Sequence, residues 1–234
     1  MIKKLKDFIF YRGYRFFGRN TFSQAGEDAI IYNLLYQAGI RKPSYLELGV
    51  CHPWDGNNTY KFYLLGARGV LVEADETQIQ MIKTARPADK VLNIGVSFTG
   101  EEEADFFVFS EKSVSTFSRQ EAMIREEKGN KIMKTVKVPL KTINQIVEEN
   151  FQHYPDILSI DIEGLDFEVL SQLDYERYPI PVICAETCTY SVNHIRPKDT
   201  RIEKLLVSKG YFLYADTYLN GIFVQEKWFK NVKI

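Results

Sequence analysis

Seven short apolar or β-branched runs constrain this chain more than any other feature: Tyr45–Val50, Gly69–Glu73, Val91–Val96, Ile157–Ile162, Val182–Glu186, Tyr211–Ala215 and Ile222–Gln225. Runs this short that are apolar throughout fit strands buried on both faces. Helical stretches are expected between them, near Thr59–Leu65, Thr77–Thr84, Thr142–Glu149, Leu165–Leu173 and Thr200–Ser208. Strands alternating with helices imply βαβ units, hence a mostly parallel sheet covered by helices on both faces. The last two runs are separated only by Asp216–Gly221, too short for a right-handed parallel crossover, so a C-terminal antiparallel hairpin is expected. Ahead of the first strand, Ile30, Ile31, Leu34, Leu35 and Ala38 recur at helical spacing and Gly39 follows, which predicts a helix within Ser23–Ala38.

Residues 21–234 read as one α/β domain interrupted by an insertion at about 101–140, in which Asp105–Phe109 and Thr135–Val138 are expected strands and Phe117–Lys128 a helix. With 30 Lys+Arg against 31 Asp+Glu in 234 residues, the chain lacks the basic footprint of a protein whose main partner is nucleic acid. No apolar run approaches the roughly 18 residues of a membrane span. Cys51, Cys184 and Cys188 are too few for a disulfide framework, which points to free thiols in a reducing compartment and a cytoplasmic setting. The charge is uneven, however. Residues 1–20 carry Lys3, Lys4, Lys6, Arg12, Arg15 and Arg19 against Asp7 alone, and are expected to form a basic N-terminal helix that either packs on the domain or makes weak contact with an anionic membrane surface.

In open parallel sheets, ligands bind beyond the carboxyl ends of the strands, so the residues just after each run carry the chemistry. The first strand runs into Glu47-Leu48-Gly49-Val50-Cys51-His52-Pro53, where Gly49 opens the turn and Glu47 offers a carboxylate. The G-x-G-x-x-G of a dinucleotide site is absent, which argues for a nucleoside ligand without phosphates and against a nicotinamide enzyme. The second strand ends at Glu73, whose carboxylate can accept hydrogen bonds from both hydroxyls of a ribose. The fourth delivers Asp161 and Glu163 in Asp161-Ile162-Glu163-Gly164, and either could instead cap the next helix. An (Asp/Asn)-Pro-Pro-aromatic turn, frequent where exocyclic amines of bases are methylated, is missing there. A parallel sheet ending in a hairpin, with acids at its tips, is the pattern of the Rossmann-like class I fold that binds S-adenosylmethionine (SAM).

An ordered set of segments resembles the FkbM-type methyltransferases: Ser23-Gln24-Ala25-Gly26-Glu27-Asp28, the Glu47–Pro53 turn with Asn58-Thr59-Tyr60, Arg86-Pro87 with Asp89, Ser115-Thr116-Phe117-Ser118, Asp161-Ile162-Glu163-Gly164 and Cys184-Ala185-Glu186-Thr187. The resemblance runs from about Phe22 to the C-terminus and leaves the first twenty residues outside. It implies SAM as cofactor and O-methylation of a hydroxyl, frequently on sugars of glycans or on natural products. The first-strand acid is often Asp in such proteins and is Glu47 here. Glu47, Gly49 and Glu73 are the expected cofactor-binding residues, with Gln24 and Asp28 added by the resemblance.

Sugar hydroxyls are weak acids, so methyl transfer to one calls for a general base or a metal ion. Asp161, His52 and His194 are the candidate catalytic residues. Asp161 and Glu186 end consecutive parallel strands and are the candidate ligands of a divalent cation, Mg²⁺ or Mn²⁺. The expected acceptor is a small molecule: a sugar, nucleotide sugar or glycan precursor. The competing readings are a methyltransferase for a non-sugar metabolite and a noncatalytic binding protein on the same fold.

Overall fold

Successive side chains of a strand point to opposite faces, and this alternation sorts the core into two layers. The computed structural model describes residues 21–111, 115–188 and 197–232. Its main sheet has seven strands: β1 (Tyr45–Leu48), β2 (Gly69–Val72), β3 (Lys90–Leu92), β7 (Ile157–Ile160), β8 (Val182–Glu186), β9 (Tyr211–Asp216) and β10 (Asn220–Gln225). They lie in the order β3-β2-β1-β7-β8-β10-β9. All neighbours are parallel except β10, which runs antiparallel to both β8 and β9, so the expected hairpin is present. Leu46, Leu48, Leu158 and Ile160 face one layer, packed by α5 (Ile143–Asn150), α6 (Asp166–Gln172) and α7 (Thr200–Ser208). Tyr45, Leu71, Ile157 and Val182 face the other, packed by α1 (Glu27–Gln37), α2 (Tyr60–Leu64) and α3 (Glu76–Ala85). A last helix, α8 (Glu226–Asn231), follows β10 and went unread in the sequence.

The insertion folds as expected in kind, with different bounds. β4 (Gly95–Ser97), β5 (Glu103–Phe109) and β6 (Ile132–Thr142) form a second sheet in the order β4-β6-β5, with α4 (Arg119–Glu127) between β5 and β6. The run Val91–Val96, expected as one strand, is divided between the two sheets. Asn93 turns the chain there, its side-chain amide donating to the carbonyls of Glu73 and Ala74 at 2.9 and 3.1 Å. Ser118 caps α4 by accepting from the Glu121 N–H, which starts the helix two residues later than expected. Phe106, Val108 and Val138 pack with Phe117 and Ala74, fastening the small sheet to the tip of β2. Helix α1 likewise starts late, because Ser23–Gly26 form a turn in which Gly26 takes φ +94°.

Strand order reverses between β1 and β7, the crevice where ligands bind in open α/β sheets. There the backbones nearly touch: a Cβ on Gly49, at φ +81°, would lie 1.9 Å from the Asp161 carbonyl oxygen. Only glycine serves at this position.

Candidate functional site

A cavity of about 210 Å³ opens over this crevice. Its rim carries Gln24, Glu73, Asp75, Asp161 and Glu163, and its walls are Val72, Ile94, Val96, Phe106 and Phe117. The insertion therefore supplies one wall of the site. A smaller cavity, about 110 Å³, lies beyond the tips of β7 and β8 and is lined by Glu121, Arg125, Asp166, Glu186, Asp199 and Arg201 among others. Glu163 lines both. It also holds a left-handed backbone, φ +57°, which costs a non-glycine residue on the order of 1 kcal/mol or more. The surroundings impose that conformation: Arg125 reaches the Glu163 carboxylate at 2.8 Å, and the Thr116 hydroxyl donates to its carbonyl at 3.2 Å.

Glu73, expected to bind the cofactor, stands on the rim. Its two carboxylate oxygens accept from the N–H groups of Cys51 and Asp75, each at 2.7 Å. A carboxylate oxygen so engaged keeps a lone pair for a second donor, so Glu73 is oriented and still able to receive a pair of hydroxyls. Burial pushes its carboxyl upward, and the same burial, with Glu73 adjacent, raises the Cys51 thiol to about 12 and keeps it neutral. Flat apolar walls beside an oriented carboxylate suit a nucleoside, and the surplus of acids suits a cation. The residues present fit SAM. Gln24 and Gly49 line the same cavity.

Glu47 does not. Two positions before Gly49, its side chain falls on the sheet face covered by α1 to α3, where it accepts from the Thr59 hydroxyl at 2.6 Å and pairs with Arg86 at 3.2 Å. Arg86 is fully buried and also holds Asp89 at 2.7 Å, Asn57 at 3.1 Å and Thr59 at 2.7 Å. Asp89 in turn accepts from the Tyr45 hydroxyl and the Gly69 N–H. Glu47, expected at the cofactor, is placed by the structure in a buried lock that fastens the 51–59 segment, one rim of the cavity, to the sheet.

Asp28, also expected at the cofactor, is engaged within its own turn. Its carboxylate accepts from the Thr21 hydroxyl, the Phe22 N–H at 2.8 Å and the Ser23 hydroxyl at 3.1 Å, so it closes the turn that presents Gln24. Glu27 fixes the other side of that turn, accepting from Thr217 at 2.6 Å and Asn220 at 2.9 Å. His52 does not line either cavity; its Nδ1 accepts from the Asp55 N–H at 2.9 Å, which orients the loop, and burial lowers its basicity. His194 and the basic segment 1–20 lie outside the described residues.

Asp161 lines the larger of the two cavities and Glu186 the smaller, with Glu163 shared between them. Among the described residues no group of three or more His, Cys, Asp and Glu side chains is placed to hold a metal ion. Neither Asp161 nor Glu163 caps the following helix. The N-cap residue is Leu165, with no side-chain cap, and Asp166 instead fastens the preceding turn, accepting from the N–H groups of Ile162 at 3.2 Å and Gly164 at 3.4 Å. Burial, reinforced by the neighbouring Asp161, raises Glu163 to about 8 and Asp166 to about 7; Arg125 opposes the shift at Glu163.

The site residues missed in the sequence are Arg125 and Phe106, both from the insertion. Arg125 reads as one more charge in Arg125-Glu126-Glu127-Lys128, and nothing local marks it as buried.

Comparison with known proteins places this geometry. No curated relative matches the chain. Similar solved structures include the 1,6-didemethyltoxoflavin-N1-methyltransferase of Burkholderia thailandensis with bound 1,6-didemethyltoxoflavin and S-adenosylhomocysteine, at 11% identity and TM-score 0.45 over 94% of this chain and 84% of that one. Others are the O-methyltransferase of Bacillus cereus in complex with SAH (11%, TM-score 0.42, 95% and 89% covered) and a TehB-like SAM-dependent methyltransferase of Corynebacterium glutamicum (9%, TM-score 0.42, 96% and 98% covered). Likeness at this level decides nothing about the acceptor. The sequence profile of the methyltransferase FkbM domain matches residues 47–213, a span that holds both cavities' strand tips and the whole insertion. This chain belongs to the FkbM methyltransferase domain family and is a SAM-dependent methyltransferase.

Proposed function

We propose that the enzyme transfers the methyl group to a hydroxyl of a sugar or glycan precursor, with SAM held by Glu73, Gly49 and Gln24 and the acceptor entering through the second cavity. The observation that carries this reading is Glu163, a carboxylate shared by the cavity that fits the cofactor and the cavity beyond β7 and β8. Bound SAM supplies an electrophilic methyl on a sulfonium. The chain's own work is to align the acceptor oxygen and remove its proton. Asp161 and Glu163 stand where an attacking hydroxyl would pass, and a carboxyl held near 8 is matched to that transfer at neutral pH. The strand tip Asp161-Ile162-Glu163-Gly164 has no Pro-Pro-aromatic turn to sandwich a nucleobase, which favours oxygen over an exocyclic nitrogen.

The second cavity narrows the acceptor. Glu121, Glu163, Asp166, Glu186 and Asp199 face it with two arginines, both already ion-paired, Arg125 to Glu163 and Arg201 to Asp199 at 2.6 Å. A wall of acceptors suits a polyhydroxyl or amine-bearing ring and repels phosphate, so a nucleotide-linked sugar would keep its phosphates outside. Work in the cytoplasm is part of this reading; Cys51, Cys184 and Cys188 are not joined in disulfides. Among the described residues no helix is long and apolar enough to cross a membrane.

The test is incubation with methyl-labelled SAM and a panel of neutral sugars, amino sugars, nucleotide sugars and amine-bearing heterocycles, with the product bond assigned by NMR. A methyl ether on a sugar carbon is expected. An N-methyl heterocycle, with no turnover of any polyol, would overturn the reading.

A further inference from the structure

Between Ala29 and Val72 the charged side chains are Arg41, Lys42, Lys61 and Arg68 against Glu47 and Asp55, and Glu47 is buried in its pair with Arg86. One carboxylate and four cations are left for the surface of this stretch. Ring contacts join these groups into one face. The Arg41 guanidinium lies 3.4 Å over Tyr36, Lys61 Nζ 5.3 Å over Tyr32 and Arg68 4.9 Å over Tyr63. Tyr32 meets Tyr36 at 5.6 Å, Tyr63 stacks on Tyr60 at 6.0 Å, and Tyr60 reaches Trp54 at 6.4 Å. The Lys42 side chain runs beside Gly66, after α2.

Large apolar groups stand out of this cationic face: Tyr36, Trp54, Leu64 and Leu65 are 46, 42, 39 and 45% exposed. The chain enters it at Phe22, whose ring is 4.9 Å from Tyr60. Upstream of that point lie the six basic residues and single acid of positions 1–20. Rings and leucines interleaved with lysine and arginine are the composition of the boundary between lipid headgroups and acyl chains. Self-association through the face would set its cations against their own copies, a juxtaposition that costs energy.

We infer that the face formed by α1, α2 and the Trp54 loop docks on an anionic phospholipid surface, with Leu64, Leu65 and Trp54 entering the headgroup boundary and Lys42, Lys61, Arg41 and Arg68 meeting lipid phosphates. The inference is independent of which acceptor is methylated.

The experiment is co-sedimentation of the full chain with vesicles of phosphatidylcholine alone and of phosphatidylcholine mixed with phosphatidylglycerol. Binding is expected to the mixed vesicles and to weaken as salt is raised. The pair Lys42→Glu and Lys61→Glu, and separately the pair Leu64→Gln and Leu65→Gln, should each lower partitioning by about tenfold or more. SAM affinity measured on the same variants should stay at the parent value, which shows them folded. Parent-like binding by both double variants, or equal binding to neutral and anionic vesicles, would overturn the inference. So would a concentration-dependent dimer that sediments with neither vesicle, which would assign the face to a second copy.

Discussion

The tips of β1 and β7 carry acids at positions that look alike in sequence, and the structure puts them to opposite uses. Glu47 sits inside β1, two residues before the glycine turn, and the strand's alternation sends its side chain under the helices. There it needs a counter-charge, and Arg86 supplies one from the end of α3. Asp161 and Glu163 come after the last residue of β7, where the alternation has ended and side chains meet a cavity. A shift of two residues along a strand thus separates an acid that locks the rim from acids that line the cavities.

The first way to break this comparison is at the reactive tip. Asp161→Asn and Glu163→Gln should each lower kcat by about 10²- to 10⁴-fold, the range expected for loss of a general base, with the affinity for SAM nearly kept. The pH profile sharpens the point. A base whose pKa is raised is protonated, and idle, below that value, so kcat should climb with pH through about 8 in the parent enzyme. The apparent value belongs to the cluster of Asp161, Glu163 and Asp166, and Glu163→Gln should flatten or displace that limb. Single-turnover rates from pH 6 to 10 would decide it. A profile unchanged in both variants would return both acids to a structural role.

Next in size is the lock. Arg86→Ala leaves Glu47 and Asp89 buried without their partner, a defect expected to cost about 3–5 kcal/mol of stability. Denaturant unfolding should show it as a lower midpoint. Activity per folded molecule should fall as well, because Asn57 and Thr59, which Arg86 also holds, carry the cavity rim. A variant as stable as the parent would mean that the buried pair contributes nothing net.

Glu73→Ala tests the cofactor rim directly and should weaken SAM by about 1–3 kcal/mol in calorimetry, the loss of hydrogen bonds to a charged group. An unchanged affinity in the folded variant would remove Glu73 from the site.

The alternation of strands with helices and the closing hairpin were legible in the sequence because both rest on periodicity and connection length, which are local. The division of Val91–Val96 was not, since it depends on Asn93 finding carbonyls after β2. At the site, Glu73 and Asp161 were legible because a strand's end fixes them near the crevice whatever packs around it. The burial of Glu47 was not legible for want of its partner: nothing between Glu47 and Arg86 in the chain shows that the two meet, although Arg86 and Asp89, three apart, hint at a local pair. The same holds for Arg125, whose role rests on an insertion folding back onto Glu163.

The smallest expected effect is the most discriminating one. Glu47→Gln keeps the side chain's length and its oxygen for the Thr59 hydroxyl, and Arg86 retains Asp89. Stability should drop by about 1–3 kcal/mol, the value of a hydrogen bond to a charged group. Affinity for SAM should stay within about twofold, because Glu47 lines neither cavity and removing its charge changes the field at the cofactor only through Arg86. Had Glu47 held the cationic end of the cofactor, the same substitution would weaken binding by tenfold or more, about 1.4 kcal/mol. Calorimetry on the folded variant separates the two outcomes, and a tenfold loss would put both strand tips in the binding site and dissolve the distinction between them.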